Sequence, residues 1–157
     1  MATVTKTVGT SSRNYSTLAS AYASVPANLV TDGNSYVLDC YNDSEFTSAS
    51  QLLTVSGNTT DATHTLTIKA ATGQSFSDNA SAQTNRLYYN QANGVGISFS
   101  GGYAPAVSIV ADYTTFSGLQ VKSTSTNSTS FFNNHATASN FKLSNCIMQS
   151  VPRNGDP

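Results

Sequence analysis

Polar and apolar residues alternate through Thr3, Val4, Thr5, Lys6, Thr7 and Val8, the two-residue period of a β-strand. The pattern then changes. Leu18, Tyr22 and Val25 fall at i, i+4 and i+7, on one face of a helix that Ser16 is placed to cap. Ala19, Ala21 and Ala23 favour that helix, and Pro26 restricts Val25 and ends it, so a helix is predicted over about 16–25. Asp32, Gly33 and Asn34 read as a turn.

Beyond this point the chain reads as short strands between polar loops. Tyr36, Leu38 and Cys40 fall on one side of a strand, with Asp39 on the other. Leu66 and Ile68 point inward from the next, and Thr65, Thr67 and Lys69 outward. Residues 95–99 and 107–109 repeat the alternation. Strands this short and frequent, after a single helix, predict an all-β body.

Residues 114–123 align with residues 141–150 at an offset of 27. Phe116 matches Leu143, Ser117 matches Ser144, Gly118 matches Asn145, Leu119 matches Cys146 and Val121 matches Met148. Gly and Asn tolerate the left-handed backbone best, so Gly118 and Asn145 are expected to turn the chain sharply between two strands. The apolar residues around each turn, Met148 included, should then face one interior. An offset of this size suggests a solenoid of stacked coils.

Residues 108–123 resemble one coil of the right-handed parallel β-helix proteins, the pectin-lyase-like superfamily. Asn14, Tyr15, Ser16, Thr17 and Leu18, with Ala21 and Pro26, resemble the helix that caps the N-terminal end of such solenoids in bacteriophage virion proteins and tailspikes. The likeness covers residues 10–150. It implies an all-β fold, a right-handed parallel β-helix (solenoid) with a short N-terminal capping helix, in a single domain spanning 1–157. Within it, 1–30 is strand and capping helix, 31–150 the coils and 151–157 a tail. That tail makes neither a capping helix nor a further coil. The expectation is therefore that the natural chain continues, or that another subunit or a particle surface covers the last coil.

Composition narrows the partners. Charged residues are 10 % of the chain, against roughly 25 % in ordinary soluble domains, and 60 of the 157 residues are Ser, Thr or Asn. With a net charge of −1 and no Lys/Arg cluster, neither nucleic acid nor an anionic membrane is an expected partner. No run approaches the ~18 apolar residues of a membrane span. Residues 1–10 lack the apolar core of a signal peptide, so synthesis and assembly in a host cytoplasm are expected. Cys40 and Cys146 stand far apart in apolar runs and read as free thiols. The sequons at Asn14, Asn42, Asn58, Asn79 and Asn127 are no more than this composition produces by chance, and none is read as glycosylated.

Candidate chemistry is sparse. Asp43 and Glu45 offer oxygens for a calcium ion or a glycosidase carboxylate pair, but the stretch lacks a calcium-loop pattern and reads as a solvated turn. Lys69, Arg86 and Lys122 are isolated basic residues, with no acidic cluster of the kind the superfamily's lyases use. Residues 93–96 begin like a dinucleotide loop, but Phe99 breaks the pattern and no helix follows. His64 and His135 have no metal-ligand spacing to either cysteine and no nucleophile context. Tyr88 and Tyr89, and Phe131 and Phe132, offer rings for sugar stacking, although period 2 puts one ring of each pair inside. No catalytic, cofactor-binding or metal residue is assigned, and no cofactor is expected. The expected function is that of a non-catalytic virion structural protein: a capsid decoration (cement) protein, or the base of a head or tail fibre. Its expected partners are further copies of itself, a trimer on the strength of the resemblance, and virion proteins such as the major capsid protein, with host surface polysaccharide as a further partner. The rivals are the N-terminal part of a tailspike-like polysaccharide-degrading enzyme and a carbohydrate-binding β-helix domain.

Overall fold

The computed structural model describes residues 1–79, 88–101, 104–125, 131–134 and 138–150. Arg86, His135, the Asn127 sequon and the 151–157 tail lie outside the described residues.

The opening strand β1 spans Ala2–Val8 and leads into helix α1, Leu18–Ala23. The cap is Thr17 rather than Ser16: Thr17 has extended backbone angles, and its side chain accepts from the Ser20 N–H at 3.1 Å. The helix is shorter than its apolar spacing predicts, because the Ser24 hydroxyl donates to the Ala21 carbonyl and closes it before Val25. A second, one-turn helix, α2, follows at Leu29–Asp32. The Asn28 side chain caps it, and Gly33, at φ 77°, ends it in the left-handed conformation. The expected turn at 32–34 is thus the end of a helix that was too short to show a period of its own. Leu18, Ala21, Val25 and Leu29 are all buried.

The remaining regular structure is mostly short strands: β2 (Asn34–Cys40), β3 (Phe46–Ser48), β4 (Leu53–Val55), β5 (Leu66–Ala70), β6 (Gly96–Phe99), β7 (Val107–Ile109), β8 (Thr114–Ser117), β9 (Gln120–Ser123), β10 (Phe132–Asn134), β11 (Lys142–Ser144) and β12 (Ile147–Ser150). Every pairing between these strands is parallel. They form three sheets: sheet I in the order β1-β2-β5-β8-β11, sheet II in the order β3-β6-β9-β12 and sheet III in the order β4-β7-β10. From β2 onward the chain adds one strand to sheet I, then II, then III, and begins again. The described residues therefore make a mainly β fold of parallel sheets with few helices.

Register explains the core. Leu38, Ile68, Phe116 and Leu143 pair in one column across sheet I. Phe46, Ile97, Val121 and Met148 do the same across sheet II. The first three residues of each column are buried, with those of β4 and β7, in one continuous cluster. The 27-residue offset is real in the backbone. Gly118 and Asn145 both turn left-handed, at φ 72° and 52°. So do Tyr113 and Asn140, a second pair at the same offset that pattern reading missed.

The last round departs from expectation. Leu143 and Cys146 are only partly buried, and Met148 is 47 % exposed although it pairs with fully buried Val121. β11 and β12 are edge strands with no described strand beyond them, so their inward side chains are covered from one side only. Phe131 and Phe132 depart as well, since neither is fully buried and both pack on the core. Phe131 precedes β10 and so escapes the strand's alternation. It meets Phe99 edge-on at 6.3 Å between centroids, while Phe132 meets Phe116 at 5.1 Å. Tyr88 is 59 % exposed and Tyr89 buried, but neither lies in a strand, and Tyr89 packs with Phe76 and Ile147 apart from the main core.

Both thiols are free. Cys40 is fully buried and Cys146 half-buried, and desolvation raises the pKa of each, so neither is a ready nucleophile. No helix among the described residues is long and apolar enough to cross a membrane.

Candidate functional site

The chain between β5 and β6 does not turn directly. It leaves sheet I, runs through residues 71–95 and returns to sheet II. Its described parts fold on short polar devices. Ser75 and Asp78 form a reciprocal capping box around a 3₁₀ turn at Phe76–Asp78, and Asn90 caps a second at Gln91–Asn93. These turns lie against the outer face of sheet II, where small residues admit them. A Cβ at Gly94 would overlap the Phe76 backbone, and one at Gly96 would overlap the Tyr89 hydroxyl.

This packing brings Glu45, Tyr89 and Lys122 together. The Tyr89 hydroxyl donates to Glu45 Oε1, and Lys122 Nζ lies 3.3 Å from the same oxygen and 4.6 Å from the Tyr89 ring centroid. Burial, and then the Glu45 carboxylate, push the Tyr89 phenol well above its ordinary pKa, so it stays protonated and serves as a donor. Lys122 is not isolated, and neither is Lys69, whose Nζ sits 2.9 Å from Asp39 Oδ1 across paired strands β2 and β5.

Asp43 and Glu45 do not share a site. Asp43 is held by Arg13 through two hydrogen bonds, each 2.9 Å, and accepts from the Ser11 N–H. The Arg13 guanidinium in turn stacks on Tyr41, 3.5 Å from the ring centroid. The Arg13 hydrogen bond is the chief cause of a lowered Asp43 pKa, opposed by desolvation. A carboxyl held ionised in this way is unsuited to general acid chemistry. Asp61 is likewise ionised, chiefly by the backbone N–H groups of His64 and Thr63, and its Oδ1 lies 2.9 Å from His64 Nδ1. Both contacts close its own turn. Among the described residues no three His, Cys, Asp or Glu side chains gather as a metal would need.

Two shallow clefts share Thr47, one on the outside of sheet II and the other against the start of α1. One, of about 370 Å³, is lined by Thr47, Ser48, Ala49, Ser98, Ser100 and Thr124. The other, of about 330 Å³, is lined by Leu18, Phe46 and Leu52 together with Thr10, Ser44 and Glu45. Such surfaces offer hydroxyl donors and acceptors to a hydroxylated ligand. Three of the sequon amides are internally committed: Asn42 Nδ2 donates to the Gln91 carbonyl, Asn58 Nδ2 to the Pro26 carbonyl and Asn79 Nδ2 to Asn93 Oδ1.

Sequence reasoning named Glu45 and Lys122 but not their union, and it missed Gln120 altogether. Gln120 is fully buried on the outer side of β9, where its side chain makes three hydrogen bonds to the backbone of Asn90 and Gly94. Its partners are remote in sequence, so no local signal marks it. Comparison with protein-family models, curated proteins and solved structures finds no match for this chain.

Proposed function

We propose that the chain is a right-handed parallel β-helix serving as a rigid, non-catalytic structural element of a bacteriophage particle. The rotation of successive strands through three parallel sheets supports the solenoid, and the hand follows from the near-universal right-handedness of parallel crossovers. One observation carries the structural role. Asp39, Asp43 and Glu45 each lie against a cation distant in sequence and fasten one part of the chain to another, while Asp61 closes its own turn. Charge spent on internal ties suits a passive scaffold. The particle is the setting that the sequence resemblance implies, as is assembly into a ring-closed homo-oligomer, a trimer before a dimer.

The test is immunogold microscopy of gradient-purified phage particles with antibodies raised against the chain. Label on intact particles is the expected result, and label confined to non-particulate lysate overturns the proposal. A second reading, carbohydrate binding, is favoured by the hydroxyl-lined clefts that share Thr47. Amide chemical-shift changes at Thr47 and Ser98 on titration with maltotetraose, cellotetraose or a mannan oligosaccharide would support that reading. Release of reducing or unsaturated ends from polysaccharide, abolished by Asp43→Ala or Glu45→Ala, would instead favour an enzyme.

A further inference from the structure

We infer that residues 71–79 and 88–95 brace the outside of sheet II, tying all four rounds of strands so that the stack opens as one unit. The inference rests on the solenoid reading above. In a stack of coils each layer touches only its neighbours, stability is a sum of local terms, and a terminal layer frays independently. This brace breaks that rule, because one stretch of chain reaches every round.

At the first round, Asn42 and Gln91 bind each other reciprocally, at 2.9 and 3.0 Å, and the Tyr89 hydroxyl donates to Glu45. At the second, the Tyr89 hydroxyl occupies the space that a side chain at Gly96 would fill. At the third, Gln120 Oε1 accepts from the Asn90 N–H at 2.9 Å, and its Nε2 donates to the Asn90 and Gly94 carbonyls at 3.0 and 2.9 Å. The Ser75 hydroxyl adds a bond to the Gly118 carbonyl at 3.1 Å. At the fourth, Gln149 Oε1 accepts from the Tyr89 N–H at 2.9 Å, and Ile147 is buried against Phe76 and Tyr89. Tyr89 therefore joins the first round to the last through one residue. Its hydroxyl holds Glu45, and its N–H and ring hold β12. Met148 shows how little else covers that strand.

Native-state hydrogen exchange on the full chain, read by mass spectrometry across a urea series, tests this. In the wild type, amides of 147–150 and 34–40 should exchange through the same opening, with rates within about threefold. Gln149→Ala should speed exchange at 147–150 by tenfold or more and leave 34–40 unchanged. Tyr89→Phe is the decisive variant, because it keeps the ring on Ile147 and removes only the bond to Glu45, in the first round. It should still speed exchange at 147–150 by threefold or more. If Tyr89→Phe loosens only 41–45, or if wild-type 147–150 already exchange tenfold faster than 34–40, there is no brace and the segment is local packing. Lack of protection throughout β2, β5 and β8 would instead refute the solenoid reading itself.

Discussion

The column Leu38, Ile68, Phe116 and the column Gly96, Gln120, Ile147 run across neighbouring sheets, one facing the interior and the other facing out. The first is held by apolar contact between like neighbours, so any residue of similar size and greasiness would nearly serve. The second is held by specific polar geometry: a glycine that makes room, a glutamine that fills three backbone positions and an isoleucine under a tyrosine ring. The inner column carries most of the stabilising energy. The outer one carries the particularity of this molecule, since there residues of the second, third and fourth rounds meet one segment.

Truncating the inner column should produce the largest effect. Phe116 is fully buried and touches both Phe132 and Phe141 edge-on, so Phe116→Ala should lower unfolding free energy by about 3–5 kcal/mol. Leu143, its register partner, is only partly covered, and Leu143→Ala should cost less than half as much. Urea denaturation of the two variants measures the ratio. Equal losses would mean that the fourth round is covered in solution, and that the contrast between buried and edge layers is false.

The inner column was legible because burial there follows a period of two, and Leu38, Leu66, Ile68 and Ile97 announce it without help. The turn at Gly118 was legible for another reason: its partner Asn145 shares the one backbone demand that few other residues meet. Met148 points the same way as Val121, as the pattern says, yet it is 47 % exposed. Periodicity says which way a side chain points, whereas burial also needs a neighbouring layer, and that is not a local property. The outer column left no trace. Gln120, Asn90 and Gln149 are ordinary residues in a chain so rich in polar side chains, and the distances between them in sequence follow no period. Of the candidate site, the residues Asp43, Glu45, Lys69 and Lys122 could be named in advance, but their partners could not. Strand register sets the Asp39–Lys69 pair, an N-terminal segment brings Arg13 to Asp43, and a long excursion folds back to bring Tyr89 to Glu45 and Lys122.

Changing Gln120 tests the outer column at its centre. Gln120→Ala leaves the Asn90 N–H and two carbonyls without their buried partner, and a cost of about 1–3 kcal/mol is expected. Gln120→Glu is the sharper probe, since it keeps the acceptor for Asn90 N–H but replaces the donor with a carboxylate facing two carbonyl oxygens. It should destabilise at least as much as alanine at neutral pH and recover part of the loss on acidification, when a protonated carboxyl can donate. Recovery absent at low pH would show that the amide matters only for its volume.

A smaller effect separates the two turn positions. Gly118 sits at φ 72°, and an added Cβ would also lie 3.0 Å from the Ser75 hydroxyl, so Gly118→Ala should cost about 1–2 kcal/mol. Asn145→Gly, at the equivalent turn, should stay within about 0.5 kcal/mol of the wild type, since glycine accepts the same backbone and the exposed side chain loses little. Thermal denaturation of the pair decides it. A large loss for Asn145→Gly would assign the Asn side chain a contact of its own.

The smallest effect concerns the Arg13–Asp43 tie, which joins the 9–13 segment to the loop after β2 and lies outside both columns. The folded-state pKa of Asp43 is depressed, chiefly by its hydrogen bond to Arg13. Its contribution is therefore fully present above the unfolded carboxylate value of about 3.9, and is lost as pH falls through the lower, folded value. The wild type should lose stability on acidification below about pH 4 more steeply than Asp43→Asn, and the two unfolding curves should converge in strong acid. Protonation of Asp43 acts on the N-terminal fastening and leaves both columns in place, and the comparison with Asp43→Asn separates it from the other carboxylates. The measurement is the midpoint of urea unfolding from pH 7 down to pH 2 in both proteins. Parallel pH profiles would show that Asp43 is equally ionised in the folded and unfolded chains, and that its two hydrogen bonds to Arg13 contribute nothing to holding the segment in place.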